Sequence, residues 1–431
     1  MRMRSPPCYD THVKASSTAK IWDVAVIGGG PSGMMAAGTA ASRGAKVVLI
    51  EKNDTLGKKL LITGGGRCNV TNGELHTRTF LAKFKKNDKF LFSPFSQWGV
   101  KETLEFFHTR GMDTIIEAEQ RVFPATHKAQ SVWDVLVAYI REHKVTVISH
   151  APVVELVKEG ESITKIILAD GRTLRATSII LATGGKSRPE TGSTGDGYAW
   201  LRTLGHTVVE SDPTLVPISI KDLWVRRLAG VSLTDIKITL YQNKVKQSSR
   251  VGKILFTHVG VSGPTILNMS KDVGELLKYG PVTIALDLLP KLDNGALNLA
   301  LQKVFTLHAN KQFKNALADF VPSALAPILV ELSQIAPEIK CNSITREERI
   351  RLIEMLKRLP LSVKGLLGVD KAIVTSGGVA LEEIDFKTMR SQRIKNLYLV
   401  GDILNIDRPS GGYSLQLCWT TGYVAGTSVT W

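Results

Sequence analysis

The segment that most constrains the fold is residues 21–51, which read IWDVAVIGGGPSGMMAAGTAASRGAKVVLIE. The run from 21 to 27 is short, apolar and rich in β-branched residues, which is typical of a strand buried on both faces. Residues 34–43 are small and helix-favouring, and Gly44 ends this helix. Residues 46–50 predict a second strand. This order of strand, glycine-rich turn, helix and strand predicts a Rossmann-like α/β fold.

Three glycines in the turn, Gly28, Gly30 and Gly33, have the spacing G-x-G-x-x-G. Gly28 permits the tight turn, Gly30 lets the backbone approach a pyrophosphate, and Gly33 lets the helix pack closely on the strand. Pro31 and Ser32 lie between the last two glycines and are included in the predicted site. Free N–H groups and the positive dipole end of the helix attract phosphates, so the segment predicts a dinucleotide site.

An acidic residue, Glu51, closes the second strand, and Lys52 follows it. At this position a carboxylate can accept hydrogen bonds from both ribose hydroxyls of an adenosine. The same carboxylate would repel a 2′-phosphate. The sequence therefore argues against NADP at this first site.

Two later strands favour FAD over NAD. Residues 177–185 read TSIILATGG and residues 396–402 read NLYLVGD, so each predicted strand ends in glycine. A glycine there allows a ligand to approach closely in the crevice above an α/β sheet. Asp402 is placed to accept a hydrogen bond from a ribityl hydroxyl, a group that flavin has and NAD lacks. The residues predicted to contact the flavin at these ends are Ala182, Thr183, Gly184, Gly401 and Asp402.

The C-terminal segment offers a further helix start. Residues 409–416 read PSGGYSLQ and lead into a predicted helix through Ala425. Exposed N–H groups at such a start would stabilise negative charge on a reduced flavin ring. The predicted contacts here are Gly411, Gly412, Tyr413, Ser414 and Leu415.

With these motifs the chain resembles the BaiN-like or aminoacetone-oxidase-like family of bacterial FAD-dependent oxidoreductases. The most specific match is residues 57–72, GKKLLITGGGRCNVTN. Further matches are QRVFPATHK at 120–128, ATGGKSRPETGSTGDG at 182–197, LFTHVGVSGPTIL at 255–267, TSGGVALEEID at 375–385, and the C-terminal GGYSLQLCWTTGYVAG.

The resemblance implies an FAD-binding domain built from both chain ends and interrupted by a β-barrel-like insert that carries a helical subdomain. The expected boundaries are 21–206 and 364–431 for the FAD-binding domain, 207–290 for the barrel and 291–363 for the helical part. It also implies that Gly57, Gly66, Arg67, Cys68 and Asn69 contribute to the flavin site, and that Gly401, Asp402, Gly412 and Tyr413 close over the ring.

The chain departs from the family pattern near its C-terminal end. The family usually carries Asp, Gly and Asn where this chain has Asn405, Arg408 and Ser414, and Glu is common at the position of Asp402. These changes are compatible with FAD binding, but they argue against simply carrying the family's substrates over to this chain.

No residue is assigned a catalytic role from sequence. Cys68 is expected beside the flavin, where it either reacts, with a pKa lowered by Arg67, or packs; without a partner cysteine we favour packing. His127, His206 and His258 are weaker candidates for a general acid. No histidine pair has helical ligand spacing and no C-x-x-C is present, so no metal site is expected.

The electron donor is expected to be NAD(P)H. The segment GSTGDG at 192–197 does not follow a strand at the required spacing, so no second nucleotide domain is predicted. NAD(P)H would then bind transiently against the flavin, and a small organic molecule or dioxygen would take the electrons.

Composition leaves two alternatives open. Lys plus Arg number 55 against 39 Asp plus Glu, a net charge of +16 that attracts polyanions, with a basic stretch at 221–253. A flavoprotein that acts on RNA is therefore one alternative, and a non-catalytic flavin-binding redox module is the other. Residues 1–20 predict a poorly ordered tail without a secretory signal, no apolar run is long enough for a membrane span, and a reducing cytosol is the expected compartment.

Overall fold

The computed structural model describes residues 21–209, 213–367, 374–375 and 377–431. The N-terminal tail at residues 1–20, with Cys8, lies outside the described residues. Within the segment 375–385, residue 376 also lies outside them. The chain forms two compact units, one from the described parts of 1–212 and 373–431 and one from those of 213–372. Each unit has its own hydrophobic core.

The chain begins with alternating strands and helices and continues with longer runs of one kind. The α-helices are α1 (Pro31–Ser42), α2 (Lys58–Ile62), α3 (Thr77–Leu81), α4 (Asp88–Gln97), α5 (Val100–His108), α6 (Ala129–Glu142), α7 (Asp196–Thr203), α8 (Pro264–Leu277), α9 (Asn294–Leu307), α10 (Ala326–Ser333), α11 (Arg346–Lys357) and α12 (Tyr413–Ser428). The strands are β1 (Ile21–Ile27), β2 (Val47–Ile50), β3 (Thr71–Asn72), β4 (Thr114–Glu117), β5 (Arg121–Pro124), β6 (Thr146–Ile148), β7 (Val153–Glu159), β8 (Ser162–Leu168), β9 (Thr173–Leu181), β10 (Val208–Val209), β11 (Pro213–Thr214), β12 (Ile218–Ile220), β13 (Ser232–Gln242), β14 (Val245–Thr257), β15 (Gly260–Ser262), β16 (Val282–Asp287), β17 (Leu359–Leu366), β18 (Val374–Thr375), β19 (Gly378–Val379), β20 (Ile384–Asp385), β21 (Arg390–Ser391) and β22 (Leu397–Leu399). None of the helices in the described ranges is long and apolar enough to cross a bilayer.

The first unit is built on a sheet whose parallel strands run in the order β6, β2, β1, β9, β22. Their register aligns Ile27 with Ile50 and Leu181, Ile50 with Ile148, and Leu181 with Leu399. The carboxyl ends of these strands therefore meet at one edge of the sheet. A ligand crevice is expected between β1 and β9, where the order of strands reverses. This topology confirms the predicted Rossmann-like α/β fold.

Antiparallel strands extend this sheet and a smaller one flanks it. β21 and β20 follow β22, and the hairpin of β7 and β8 pairs with β9. A separate three-stranded sheet has the order β3, β5, β4. It brings residues 71–72 beside 121–124, two segments that lie far apart in the sequence.

Helices α1 and α12 pack so closely that glycines of α12 lie directly against the backbone of α1. A Cβ atom added at Gly422 would lie 2.6 Å from the carbonyl oxygen of Ser32, and one at Gly426 would lie 2.7 Å from that of Ala36. Any side chain at either position would have to push the helices apart. The last helix of the chain is thereby fixed against the first one.

The second unit contains a closed barrel with the strand order β12, β15, β14, β13, β16, β17. Helix α8 lies between β15 and β16 in the sequence, and α9, α10 and α11 lie between β16 and β17. The core of this unit contains buried residues from both the strands and the helices, among them Ile238, Ile284, Leu297 and Leu352.

The structure corrects three details of the sequence-based outline in this unit. Helix α8 lies within 207–290, which was expected to be β structure. The apolar spacing of residues 320–335 is typical of a helix over that whole stretch, whereas α10 begins only at Ala326, with Pro327 in its first turn, and Gln334 ends it in the left-handed conformation. The boundary expected at 363/364 falls inside β17, where alternating burial of Leu359, Leu361 and Val363 marks a strand. The four-part domain division stays a prediction.

Replacing Gly422 with Ala tests the contact between α1 and α12. We expect the free energy of unfolding to fall by about 1–3 kcal/mol, because the new methyl group overlaps a backbone carbonyl that cannot move alone. Urea denaturation followed by circular dichroism measures this change. Gly274→Ala in α8 is the matched control, because its Cβ would meet only the flexible Cδ1 of Leu366 at 2.9 Å. Equal stability of the two variants would contradict the proposed tight packing.

Candidate cofactor site

The turn after β1 has the geometry that its glycines predict. Gly28 has φ +105°, and a Cβ there would lie 2.5 Å from the carbonyl oxygen of Ala182 at the end of β9. A Cβ at Gly33 would lie 1.9 Å from the carbonyl oxygen of Gly28. Gly30, the residue before α1, has no atom within 4 Å of its Cβ position. Two of the glycines are thus required by packing, and the third opens onto free space.

A pocket of about 870 Å³, including its open mouth, lies at the carboxyl edge of the sheet. It collects residues from the first turn, from the end of β2 and from the ends of β9 and β22. Among the residues predicted from sequence, it is lined by Gly28, Gly30, Pro31, Ser32, Glu51, Lys52, Gly57, Ala182, Thr183, Gly184 and Asp402.

The carboxylate of Glu51 is held rigidly at the pocket wall. Its Oε2 accepts a hydrogen bond of 2.7 Å from the N–H of Gly29. Its Oε1 accepts two hydrogen bonds of 2.8 Å from Asn53, one from the backbone N–H and one from the side-chain amide. These three donors fix the orientation of a side chain that is only 7% exposed. Contact between Glu51 and an adenosine ribose stays a prediction.

Lys52 connects the end of β2 to the start of α7. Its Nζ lies 2.7 Å from Oδ2 of Asp196 and 2.5 Å from Oγ1 of Thr194. Burial opposes ionisation of Asp196, but the hydrogen bonds from Lys52 and Thr194 keep the pKa of this carboxyl below its usual value. Lys52 is therefore engaged in an ion pair at the pocket rim.

Asp402 lies in an ionic cluster with Lys59 and Arg408. Its Oδ2 lies 3.3 Å from Nζ of Lys59, and its Oδ1 accepts a hydrogen bond from the guanidinium of Arg408. Burial by itself would raise the pKa of Asp402, but the two positive charges and their hydrogen bonds hold it below the usual value. The carboxylate is thus ionised at neutral pH while it faces the pocket.

The segment 63–69 lies outside the set of pocket-lining residues. Gly65 and Gly66 have positive φ and no atom within 4 Å of their Cβ positions. The guanidinium of Arg67 lies 2.8 Å from Oε1 of Glu117 and 4.1 Å from the ring centroid of Phe123. Arg67 is therefore directed toward β4 and β5.

The thiol of Cys68 is fully buried, and burial raises its pKa to about 12. It is protonated at neutral pH, and Arg67 does not activate it because that guanidinium is paired with Glu117. Of the two roles considered for Cys68, packing agrees with this geometry and nucleophilic reactivity does not.

The backbone at the start of α12 is in direct contact with the segment 69–72. The side chain of Asn69, with its amide nitrogen toward the carbonyl of Thr71, accepts a 2.9 Å hydrogen bond from the N–H of Gly412. A Cβ at Gly412 would lie 2.2 Å from the carbonyl carbon of Thr71. The ring of Tyr413 packs 4.8 Å from that of Phe80. These contacts bring the two predicted flavin segments together.

Several predicted site residues are thus close to one another without lining the pocket. Gly33 and Gly401 serve packing, since a Cβ at Gly401 would lie 2.6 Å from Oγ of Ser32. The other predicted residues that do not line the pocket are Gly66, Arg67, Cys68, Asn69, Gly411, Gly412, Tyr413, Ser414 and Leu415. Their contact with a flavin stays a prediction.

Sequence reasoning missed several pocket residues. Those that line it besides the predicted ones include Asn53, Lys58, Lys59, Thr191, Gly192, Ser193, Asp196, Trp200 and Cys418. A signal existed for two groups of them: GKK at 57–59 belongs to the most specific motif, and GSTGDG at 192–197 has the glycines of an anion-binding loop. The segment GSTGDG forms part of the rim of this pocket.

Arg121, within the motif QRVFP, is a further residue that the sequence did not single out. The two residues before it, Glu119 and Gln120, have φ of +60° and +57°, which is strained for non-glycine residues. The buried Nε of Arg121 has no hydrogen-bond partner within the described part of the chain. The loop therefore holds a partly unsatisfied guanidinium close to Gly411.

The histidines considered as general acids are dispersed. His127 is half-exposed and lies 3.9 Å from Glu117, whereas Nε2 of His206 is buried against Oγ of Ser391 at 2.7 Å. His258 is exposed. Burial lowers the pKa of His206. Across the described ranges, no group of three or more His, Cys, Asp or Glu side chains could hold a metal ion.

Replacing Gly30 with Val tests where the phosphates bind. We expect the purified variant to be colourless, because the isopropyl group would occupy the space open to a pyrophosphate. Its circular dichroism should match that of the parent, since no protein atom lies within 4 Å of the added Cβ. Absorbance of flavin in the purified protein measures the effect. A folded variant that keeps its full complement of flavin would refute this placement.

Comparison with known proteins places these features in a family. The curated relatives include the 3-dehydro-bile acid delta(4,6)-reductase of Clostridium scindens, which is 32% identical over 94% of this chain and 98% of that protein. They also include the ribosomal RNA dihydrouridine synthase of Escherichia coli, which is 28% identical over 93% of this chain and 96% of that protein. A protein of the same name from Haemophilus influenzae is 26% identical over 94% and 98%.

Solved structures with the same fold are flavoenzymes. A flavocytochrome c3 fumarate reductase in its open conformation has a TM-score of 0.54 and 17% identity, covering 96% of this chain and 78% of that one. A 3-ketosteroid-delta4-(5alpha)-dehydrogenase from Rhodococcus jostii RHA1 has a TM-score of 0.53 and 15% identity, covering 98% and 99%. At these identities the likeness shows the fold alone.

The family model described as the HI0933-like protein Rossmann domain matches residues 22–428, nearly the whole chain. This confirms the resemblance drawn from the motifs, and with the reductase relative it assigns an enzyme rather than a non-catalytic module. The chain belongs to the HI0933-like family of FAD-dependent, Rossmann-fold oxidoreductases.

Proposed function

We propose that this enzyme reduces a carbon–carbon double bond conjugated with a carbonyl group in a small organic substrate, with NAD(P)H as the electron donor. The observation that carries the proposal is the 32% identity, over nearly the full length of both chains, to a delta(4,6)-reductase of 3-dehydro-bile acids. In such a substrate the ketone activates the neighbouring double bond toward hydride. Bound FAD supplies this chemistry by passing a hydride through its N5 atom.

The residues at the pocket fit an FAD. Gly30 leaves open space in front of the first turn of α1, where free N–H groups favour a pyrophosphate. The hydroxyl oxygen of Thr183, a pocket-lining residue, is buried without a hydrogen-bond partner within the described residues. A polar ligand group would satisfy it. We assign Glu51 to the adenosine ribose and Asp402 to the ribityl chain.

The donor is proposed to bind next to the flavin and then leave. The glycine-rich segment 192–197 helps to line the first pocket, so it supports no separate nucleotide site. Its Asp196 is already paired with Lys52. A single site would therefore serve donor and acceptor in turn.

Anaerobic mixing of the purified yellow protein with NADH, and separately with NADPH, tests the proposal. We expect one of the two to bleach the flavin absorbance, because hydride transfer reduces the ring. Addition of a conjugated ketone such as 4-androstene-3,17-dione to the bleached enzyme should restore the colour, whereas its saturated analogue should not.

Two results would count against this function. Bleaching by neither nucleotide would exclude NAD(P)H as the direct donor. Peroxide formation from amines in air, without bleaching by either nucleotide, would favour the oxidase direction instead.

A second candidate function is the reduction of a uracil base in RNA. The carbon–carbon double bond of uracil is also conjugated with a carbonyl group. Two observations support it. Two relatives are named ribosomal RNA dihydrouridine synthases, and the β13–β14 hairpin carries lysines at 237, 244, 246 and 253 for which no ion pair is found within the described residues. Unpaired lysines on one hairpin favour contact with phosphates.

Charge reversal on this hairpin separates the two candidates. For the double variant Lys244→Glu and Lys246→Glu, we expect weaker binding of ribosomal RNA. We also expect a shallower slope of the logarithm of the binding constant against the logarithm of salt concentration, by the amount that corresponds to about two phosphate contacts. Filter binding at several salt concentrations measures both. Lys291→Glu with Lys303→Glu, which alters two exposed lysines of the same unit, is the control. Indistinguishable binding by both double variants would contradict recognition of RNA by the hairpin.

A further inference from the structure

A fully buried arginine lies behind the pocket wall. The side chain of Arg408 has 0% exposure, and its guanidinium contacts three groups. One Nη donates to Oδ1 of Asp402, the other donates to the carbonyl oxygen of Ile406 at 2.5 Å, and Nε donates to Oγ of Ser414 at 3.2 Å. This guanidinium is therefore a permanent part of the core.

Arg408 does not itself line the pocket, whereas two members of its cluster do. Asp402 and Lys59 are on the pocket wall, with side chains 15% and 21% exposed. Nζ of Lys59 also donates to Oγ of Ser187 at 2.7 Å. Among the groups that the guanidinium of Arg408 contacts, Asp402 is the one that lines the pocket, so the influence of Arg408 on the pocket is expected to act through this carboxylate.

The other titratable groups near Asp402 stay neutral. The hydroxyl of Tyr198 donates to the backbone carbonyl of Asp402 at 3.1 Å, and burial raises its pKa. Burial likewise raises the pKa of the Cys418 thiol, on α12, to about 12. Two cations and one carboxylate thus form the charged set, and Asp402 is the member that titrates as pH falls.

The direction of this titration follows from burial and charge. Burial favours the protonated form of Asp402, whereas Arg408 and Lys59 favour the ionised form and dominate. Removing Arg408 would therefore raise the pKa of this carboxyl. Asp402 would then protonate as pH falls through a range in which the parent protein keeps it charged.

We propose that Arg408 is a positioning residue for the cofactor: it holds the Asp402 carboxylate charged and oriented toward the flavin, so that FAD is retained under mildly acidic conditions. The inference rests on the assignment of Asp402 to FAD in the proposed function. It does not depend on the donor or the substrate.

The test is FAD release from the purified holoprotein, followed by fluorescence of the freed flavin after dilution, from about pH 8 to about pH 5. The parent should retain FAD equally across the range. Arg408→Met should release FAD more readily, with an apparent dissociation constant at least ~10-fold higher at the acid end, because Asp402 protonates there and can no longer accept a charge-assisted hydrogen bond from the ribityl chain. Arg408→Lys, which keeps the charge, should recover most of the acid tolerance.

Two further variants test whether Arg408 acts on FAD through Asp402. Arg172→Met removes one positive charge from an exposed hairpin and should behave as the parent does. The double variant Asp402→Asn with Arg408→Met buries no unpaired carboxylate, and it should bind FAD more weakly but with no dependence on pH.

The proposal is overturned if Arg408→Met retains FAD as the parent does, or if its loss of FAD is equal at every pH. Should Arg408→Met fail to fold, the double variant decides: weaker, pH-independent binding supports the proposal, and binding equal to the parent overturns it. Failure of NAD(P)H to bleach an enzyme that still retains FAD would contradict the proposed donor and leave this inference standing.

Discussion

The close approach of backbone to backbone around helix α1 is the constraint on which the rest of the first unit depends. At Gly28 and Gly33 the turn, the helix and the end of β9 meet without side chains between them. On its other side, α1 meets Gly422 and Gly426 of α12 in the same way. Because α1 is held from both sides, its first turn is directed rigidly toward the pocket. A loosely packed helix could not present its N–H groups to a phosphate with this consistency.

Much of this architecture follows from local sequence. Continuous apolar runs predicted four of the five parallel strands, all except β6. The glycine spacing predicted the turn, and glycines at the ends of two later strands predicted which strands border the crevice. The second unit was harder to divide. Strand β17 follows helix α11 almost directly in the sequence. The apolar spacing changes from helical to alternating over too few residues to mark a boundary.

The charged part of the site could not be predicted in this way. Lys59 and Asp402, and Lys52 and Asp196, are paired across long sequence separations that no periodicity encodes. The departures from the family pattern at Asp402, Arg408 and Ser414 looked independent in the sequence. In the structure the guanidinium of Arg408 contacts both of the other two, so they form one hydrogen-bonded group. Motif comparison identified the positions, and the three-dimensional contacts connect them.

The chain order of the first unit has a consequence for biosynthesis. Strand β22, Asp402 and helix α12 follow the barrel and its helices in the sequence, yet they complete the sheet edge and the pocket. A ribosome must therefore synthesise the whole second unit before the vitamin-derived ligand has a finished place to bind. Until then, α1 lacks the helix that packs against it in the folded protein.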